Sequence, residues 1–364
     1  MYAFAACSIL LMLGDIILRK KQVSFSLLIF LFLTLVVTVL SSFVNNEVNS
    51  INSAVKMIII LCFSFVYCTN YTIEKSISSS LNIIFVLAIV SLVLYFSVNL
   101  MGVSVPSLKI INSNDVVYHY SGVYSYFDGF MQFRNNSIFW EPGIYASFLI
   151  IALYMELFFY NNERKTRIFI FVTALITTLS SAGIILFFLY IISIIIRFRV
   201  SAKSLFSILV GFIVFAGAIY MVIDVINSHG IDPMRSINKV INPSDTESER
   251  MTSPINLLHI FYLNPYFGLG LDGALNEYTK IAKISLTSTS LTYFACFGIM
   301  SFIFVFPALL FLYLTRTFII QAAIVTLVYF LIINKELHLF FISQYLIMFY
   351  IVSSSNIKKF IKNE

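Results

Sequence analysis

The chain alternates long apolar runs with short polar breaks, and most of the runs are close to the length of a bilayer crossing. A helix needs about 20 mainly apolar residues to cross the hydrocarbon. Eleven segments meet or approach that length: 2–18, 25–44, 54–70, 81–101, 139–160, 167–180, 182–197, 204–226, 289–314, 317–333 and 338–353. Residues 167–197 form one apolar stretch broken only by "LSSAG", Leu179 to Gly183. That stretch is either two short spans with a tight turn or one over-long helix. Two spans fit better, because only they keep the flanking basic loops on one side. Two more polar stretches, about 102–138 and 227–288, interrupt the pattern and read as long loops. The predicted fold is an all-α polytopic membrane protein, a single integral membrane domain over 1–364. It has about 11 transmembrane helices (10–12) and short helices within both long loops.

Composition supports lipid as the solvent. The chain is 60% hydrophobic and 11% charged, with a mean hydropathy of +0.94. A soluble domain carries roughly 25% charged residues. Tyr2 to Leu18 runs into Arg19, Lys20 and Lys21 without a small-residue cleavage site, so it reads as a first span rather than a targeting signal. The net charge of +6 is scattered at helix ends, which speaks against a nucleic-acid partner and for a role in orientation. With Arg19 to Lys21 in the cytoplasm, Lys75, Arg164, Lys165, Arg167, Arg197, Arg199, Lys203, Arg316 and the basic tail fall on the same side. These are more than half of the 23 Lys and Arg. The expected topology is N-terminus outside and C-terminus cytoplasmic, with both long loops outside.

The spans hold almost no ionisable group at mid-depth; Asp15, Glu156 and Asp224 lie near helix ends. A charge at the bilayer centre costs about 2.5–3.5 kcal/mol or more and is kept for a pathway or relay. An ion-coupled transporter is therefore disfavoured, and the chemistry is expected in the outer loops. Cys7, Cys62, Cys68 and Cys296 lie in or beside spans without metal-ligand spacing, and the four histidines are far apart in sequence. No metal site is expected.

The first loop contains "VVYHYSGVYSYFDGF", Val116 to Phe130. Tyr120, Tyr124 and Tyr126 are suited to stacking on sugar rings, and equally to anchoring at headgroup depth. The loop closes on "FRNNSIFWEPGIYASFLI", Phe133 to Ile150. Arg134 offers a rigid fork of donors that suits phosphate. Glu141 stands before Pro142, a residue tolerated at a helix start. The pair is either part of a reaction centre or a helix cap with its partner. In the second loop, "SDTE", Ser244 to Glu247, has capping-box spacing and predicts a helix start, and Pro254 can open a second helix. Arg250 lies among Asp245, Glu247 and Glu249, where a weak helix salt bridge with Glu247 is the plain reading. "NPYFGLGLDGALNEY" then matches G-x-G-x-x-G at Gly268, Gly270 and Gly273. No strand precedes it, so a dinucleotide site is rejected. The glycines either let backbone approach another helix or turn N–H groups toward an anion.

The segment from Arg134 through "SIFWEPGIYASF", together with the second loop carrying Arg250, an apolar helix and "NPYFGLGLDG", resembles the O-antigen and capsule polymerase (Wzy) family. That family sits within a superfamily that includes the O-antigen ligases. The likeness covers roughly Arg134 to Gly298. It departs from the ligases at Thr287 and Ser288, where a His-Asn pair would fall, and at "SSAG", where ligases tend to carry Ser-Arg.

The resemblance implies a metal- and nucleotide-independent glycosyltransferase of the bacterial plasma membrane. Its substrate would be an oligosaccharide repeat unit on undecaprenyl pyrophosphate, and its other partners membrane lipid, a chain-length regulator and a flippase. It implies no cofactor. On that basis Arg250 and Arg134 would bind the pyrophosphate, with Arg235 as a third cation. Glu141 would act on the acceptor hydroxyl, with His259 behind it. Tyr120, Tyr124 and Tyr126 would hold the glycan, with Gly268 and Gly270 at the substrate. The alternatives are an O-antigen ligase, a lipid-linked oligosaccharide flippase, and a structural or sensory membrane protein.

Overall fold

The computed structural model describes residues 2–45, 50–99, 101–111, 117–127, 134–159, 165–198, 245–282, 288–315, 319–335 and 338–353. The expected span 204–226 lies outside them. The protein is a helical, membrane-embedded chain that folds as two compact units. One unit comprises Met1–Ser76 with Ser244–Glu364, and the other Ile77–Pro243.

Among the described residues, four helices are long and apolar enough to cross a membrane: Phe25–Val44, Asn52–Asn70, Ile73–Asn99 and Thr289–Leu314. Shorter apolar helices cover Cys7–Leu18, Pro142–Phe158, Ser181–Arg197, Ala322–Lys335 and Ile342–Val352. Large apolar side chains lie open on the first two helices. Leu11, Leu18, Phe25 and Phe43 are each at least 75% exposed. Apolar surface along whole helices fits a lipid environment, since soluble monomers rarely leave such patches bare.

In the first unit, α1 (Tyr2–Leu18) and α2 (Phe25–Val44) pack on α3 (Ser50–Asn70). The second-loop region and the C-terminal segments belong to this unit too. They supply α8 (Asp245–Leu263), α9 (Leu271–Ile281), α10 (Thr289–Phe297), α11 (Phe302–Leu314), α12 (Ile319–Lys335) and α13 (Ile342–Val352). The core is aromatic. Tyr293 stacks on Phe304 with centroids 4.6 Å apart, and Phe30 meets Phe349 edge-on at 5.0 Å.

Two helices differ from the sequence reading. The expected second helix start at Pro254 is absent, because α8 continues through that proline. The proline's missing N–H removes one helix bond, and burial of Leu257 and Ile260 beyond it holds the helix together. The apolar run 289–314 is interrupted by a 3₁₀ turn, Gly298–Ser301, between α10 and α11.

In the second unit, α4 (Ile73–Asn99) leads into a small sheet, followed by α5 (Pro142–Phe159), α6 (Lys165–Thr177) and α7 (Ser181–Phe198). The "LSSAG" stretch is a tight turn between two short helices, as the charge pattern required. Leu179 takes a left-handed φ of +47° there. The first loop departs from expectation. Where short helices were predicted, β1 (Leu108–Ile111), β2 (Val117–Tyr120) and β3 (Ser125–Phe127) form an antiparallel meander. Its Ile, Val, Tyr and Phe residues suit a pleated surface. The sheet pairs Leu108 with Tyr120 and Tyr118 with Phe127.

An ion pair ties the far end of this unit. Arg167 Nη1 lies 3.2 Å from Glu156 Oε1, and the two side chains are 12% and 1% exposed. Arg167 Nη2 donates to Asn82 Oδ1 at 2.6 Å, and the guanidinium lies over the Phe85 ring. Removing one partner of a buried pair leaves an uncompensated charge, at a cost of about 3–5 kcal/mol. Glu156→Ala should therefore lower the melting temperature of the purified protein sharply. Glu156→Leu combined with Arg167→Met should recover most of the loss.

Candidate functional site

The residues 134–142 form a folded loop at one end of the second unit. Arg134 is half-buried, and its Nε donates to the Thr178 carbonyl at 3.2 Å. That carbonyl follows the last turn of α6, where orphan carbonyls favour a cation. Asn135 fixes the loop to the same turn. Its backbone N–H donates to Thr177 O at 2.9 Å, and its Nδ2 donates to Thr177 Oγ1 at 2.9 Å and Ser91 Oγ at 3.2 Å. Its Oδ1 accepts from the Ser137 N–H at 3.0 Å.

Ser137 has a left-handed φ of +52°. For a non-glycine residue this conformation costs on the order of 1–3 kcal/mol and persists only where its surroundings enforce it. The Ser137 carbonyl accepts from the Ser125 N–H at 2.7 Å, which joins the meander to the loop. Asn136, between the two, is 0% exposed, and neither of its amide atoms has a partner among the described residues. Buried amides are nearly always hydrogen-bonded, so Asn136 has unused capacity for a water or a ligand. Its one signal in the sequence is the "NNS" triplet beside Arg134.

Glu141 immediately precedes α5. Its carbonyl accepts from the Ile144 and Tyr145 N–H groups at 3.2 and 3.4 Å, and Pro142 takes the first helical position. The carboxylate thus stands at a positive helix end, where a negative charge is stabilised. Trp140 beside it is 53% exposed. Arg134 and Glu141 are therefore presented by one strained loop held on the α6–α7 turn.

The three tyrosines separate. Tyr124 is 0% exposed, so it is a core side chain and not a glycan contact. Burial also pushes its hydroxyl pKa up, so it stays neutral. Tyr126 is half-buried and stacks on His119 at 4.7 Å with an interplanar angle of 5°. Tyr120 is half-buried and donates to the Gly122 carbonyl at 3.2 Å. These two retain the reach to touch a ligand.

The remaining candidates belong to the first unit or lie outside the described residues. Arg250 has helical backbone in α8, but its side chain is outside the described set, as is all of Arg235. His259 is exposed on α8.

Gly268 and Gly270 are a structural clasp. Both have positive φ, +67° and +78°. The N–H groups of Gly268, Leu269 and Gly270 donate to the carbonyls of Asn264, Ala295 and Cys296 at 2.9, 2.9 and 3.0 Å. In return, the Ile299 N–H donates to Pro265 O at 2.7 Å. A Cβ on Gly268 would overlap the backbone of Cys296 and Phe297. The Gly268 amide is thus spent within its own turn and the Leu269 and Gly270 amides on α10, so none of the three is left to bind an anion. The other expectation, close approach to a second helix, is what the backbone does.

A histidine does reach the end of the second loop, from a separate segment. His338, in the connection between α12 and α13, donates its N–H to Thr289 Oγ1 at 2.7 Å. It is 5% exposed, and its Nε2 has no partner among the described residues. Asn334 Oδ1 accepts from Ser288 Oγ at 2.8 Å and from the Ser290 N–H at 3.1 Å nearby. Among the described residues, no cluster of three or more His, Cys, Asp or Glu can hold a metal.

The described residues define a helical, membrane-embedded protein in which the described parts of both long loops carry regular structure. No protein-family model matches the chain, and no curated protein matches it.

Gly268→Ala should destabilise the protein by at least about 1–3 kcal/mol from backbone strain, before any overlap is counted. Its melting temperature in detergent should fall clearly below that of Gly14→Ala, a position with open space around it.

Proposed function

We propose that this chain polymerises polyprenyl-pyrophosphate-linked oligosaccharide repeat units at the outer face of a bacterial plasma membrane. In this reading it is a polytopic glycosyltransferase of about eleven spans, with the N-terminus outside and the C-terminus in the cytoplasm. The observation that supports it is the strained 134–142 loop. That loop holds a half-buried arginine and a glutamate around a buried, unpaired amide. Strain and unsatisfied polar groups accumulate where a ligand is handled.

The bond broken is sugar C1 to pyrophosphate, and the bond formed joins C1 to a hydroxyl of the next repeat unit. The acceptor proton leaves to a base, and the pyrophosphate leaves on its lipid. Pyrophosphate is already a good leaving group, so the protein's task is to stabilise charge and hold two large substrates in register. Arginine stays charged and grips phosphate in a bidentate fork, which suits Arg134 on this loop to a diphosphate; Arg250 and Arg235 are the further cations that the resemblance adds. Glu141 takes or orients the acceptor proton. Tyr120 and Tyr126 touch the glycan.

The ligase reading, transfer of finished glycan to another lipid, is favoured by one observation. The backbone N–H of His338 donates to Thr289 Oγ1, beside Thr287 and Ser288 where the ligase pattern carries a His-Asn pair. A flippase reading has no comparable support.

Deletion of the gene, followed by gel analysis of surface polysaccharide, decides among them. Single repeat units on the anchor are expected. A complete polymer stranded on its lipid carrier would establish the ligase, and no exported units the flippase. Arg250→Ala at normal abundance should cost about 2.7–4 kcal/mol of transition-state stabilisation, roughly a 10²–10³-fold loss of polymerisation. Full-length glycan in those cells would remove Arg250 from the mechanism. Glu141→Gln should likewise abolish long chains while leaving the melting temperature nearly unchanged.

A further inference from the structure

A cleft of about 660 Å³ opens in the first unit, lined by Asn45 at the end of α2, Leu263 at the end of α8, and Asn276, Glu277, Thr279 and Lys280 of α9. Its volume lies within the range of about 300–1,000 Å³ typical of small-ligand sites. We propose that this cleft binds an uncharged, hydroxyl-rich stretch of the oligosaccharide, and so is a glycan subsite that rests on the polymerase reading.

The lining chemistry selects the ligand class. Lys280 is the cleft's one cation among the lining residues, and its Nζ pairs with Glu277 Oε1 on the same helix. The lining is therefore charge-balanced and does not favour a diphosphate. The other polar groups are two amides and a hydroxyl, which both donate and accept. Sugar hydroxyls require that mixture. Asn45 Nδ2 donates to the Ser41 and Gly268 carbonyls at 2.7 and 3.2 Å, which fixes the amide and leaves its oxygen to accept. Thr279 Oγ1 donates to Asn276 O at 2.8 Å, so its lone pairs face other donors. Leu263 adds an apolar surface for a ring face.

The walls are also held in place. Asp272 Oδ1 accepts from Ser53 Oγ at 2.6 Å, which ties α9 to α3. Leu271, Ala274 and Tyr278 are buried beneath it, and Gly270 is clasped to Cys296 at its start. A rigid, pre-formed wall lowers the ordering cost of binding. Transfer between long substrates needs a hold on the sugar chain away from the reacting bond, and this cleft supplies a surface of the right chemistry for it.

The test uses full-length protein in detergent and a lipid-free probe, the repeat-unit oligosaccharide released by mild acid from the host's own surface polysaccharide. Binding is measured by saturation-transfer NMR, with inorganic pyrophosphate as a second probe. The oligosaccharide should bind, and Asn276→Ala with Thr279→Ala should weaken it about tenfold at an unchanged melting temperature. Pyrophosphate binding should not change in that variant. Both substituted residues are exposed, and Asn276→Gln serves as the conservative control that should retain binding. No oligosaccharide binding, or binding indifferent to the double substitution, overturns the subsite. If the double substitution weakens binding but cells lacking the gene still make full-length glycan, the subsite stands and the polymerase reading falls. If polymer is lost on deletion but binding ignores the cleft, the reverse holds.

Discussion

A bilayer offers no water to satisfy a free peptide group, so each backbone N–H and C=O at depth needs a partner inside the protein. Helices meet that demand by themselves, and the places where they stop show how it is met otherwise. At Gly298 the apolar run from Thr289 breaks, and the following amide, Ile299 N–H, is taken up by Pro265 O. The carbonyls of Ala295 and Cys296 are taken up by Leu269 and Gly270. Cys296 O also accepts from Ser41 Oγ at 2.7 Å. The break is thus repaired by a glycine turn distant in sequence. Only residues without a Cβ permit that approach at Gly268 and Gly298.

The same constraint organises the second unit. The turn between α6 and α7 leaves carbonyls at Thr177 and Thr178, and the 134–142 loop satisfies them with an asparagine amide and an arginine. A structural need and a chemical resource therefore coincide. The arginine that completes the turn is fixed there, and the loop carries it together with Glu141. What remains unspent is Asn136, whose amide has no such duty among the described residues.

Chemistry and packing are separable at several positions for this reason. Gly268 and Gly270 look like an anion cradle in one dimension, yet the Gly268 donor closes its own turn on Asn264 and the Gly270 donor is consumed at the helix break. Tyr124 looks like a sugar platform beside Tyr120 and Tyr126, yet it fills the core where the meander meets the loop. The groups that keep a ligand-facing capacity are those whose neighbours do not exhaust them, such as Asn276 and Thr279 on α9.

The sequence by itself determined the apolar solvent and the helical character of the chain, and it placed several helices to within a few residues. Apolar run length is a local property, and it placed α2 at 25–44 and the α6–α7 turn at "LSSAG". It also read Pro142 as a helix start, because such signals act within one turn, and left Glu141 open between a cap and a reaction centre. It could not determine the first loop's meander, whose strands are stabilised by cross-strand pairing rather than by their own residues. Nor could it reveal that His338 stands against Thr289, or that the glycine turn grips α10. Those contacts join segments tens of residues apart, and only the tertiary structure decides which hydrogen-bonding groups are already satisfied.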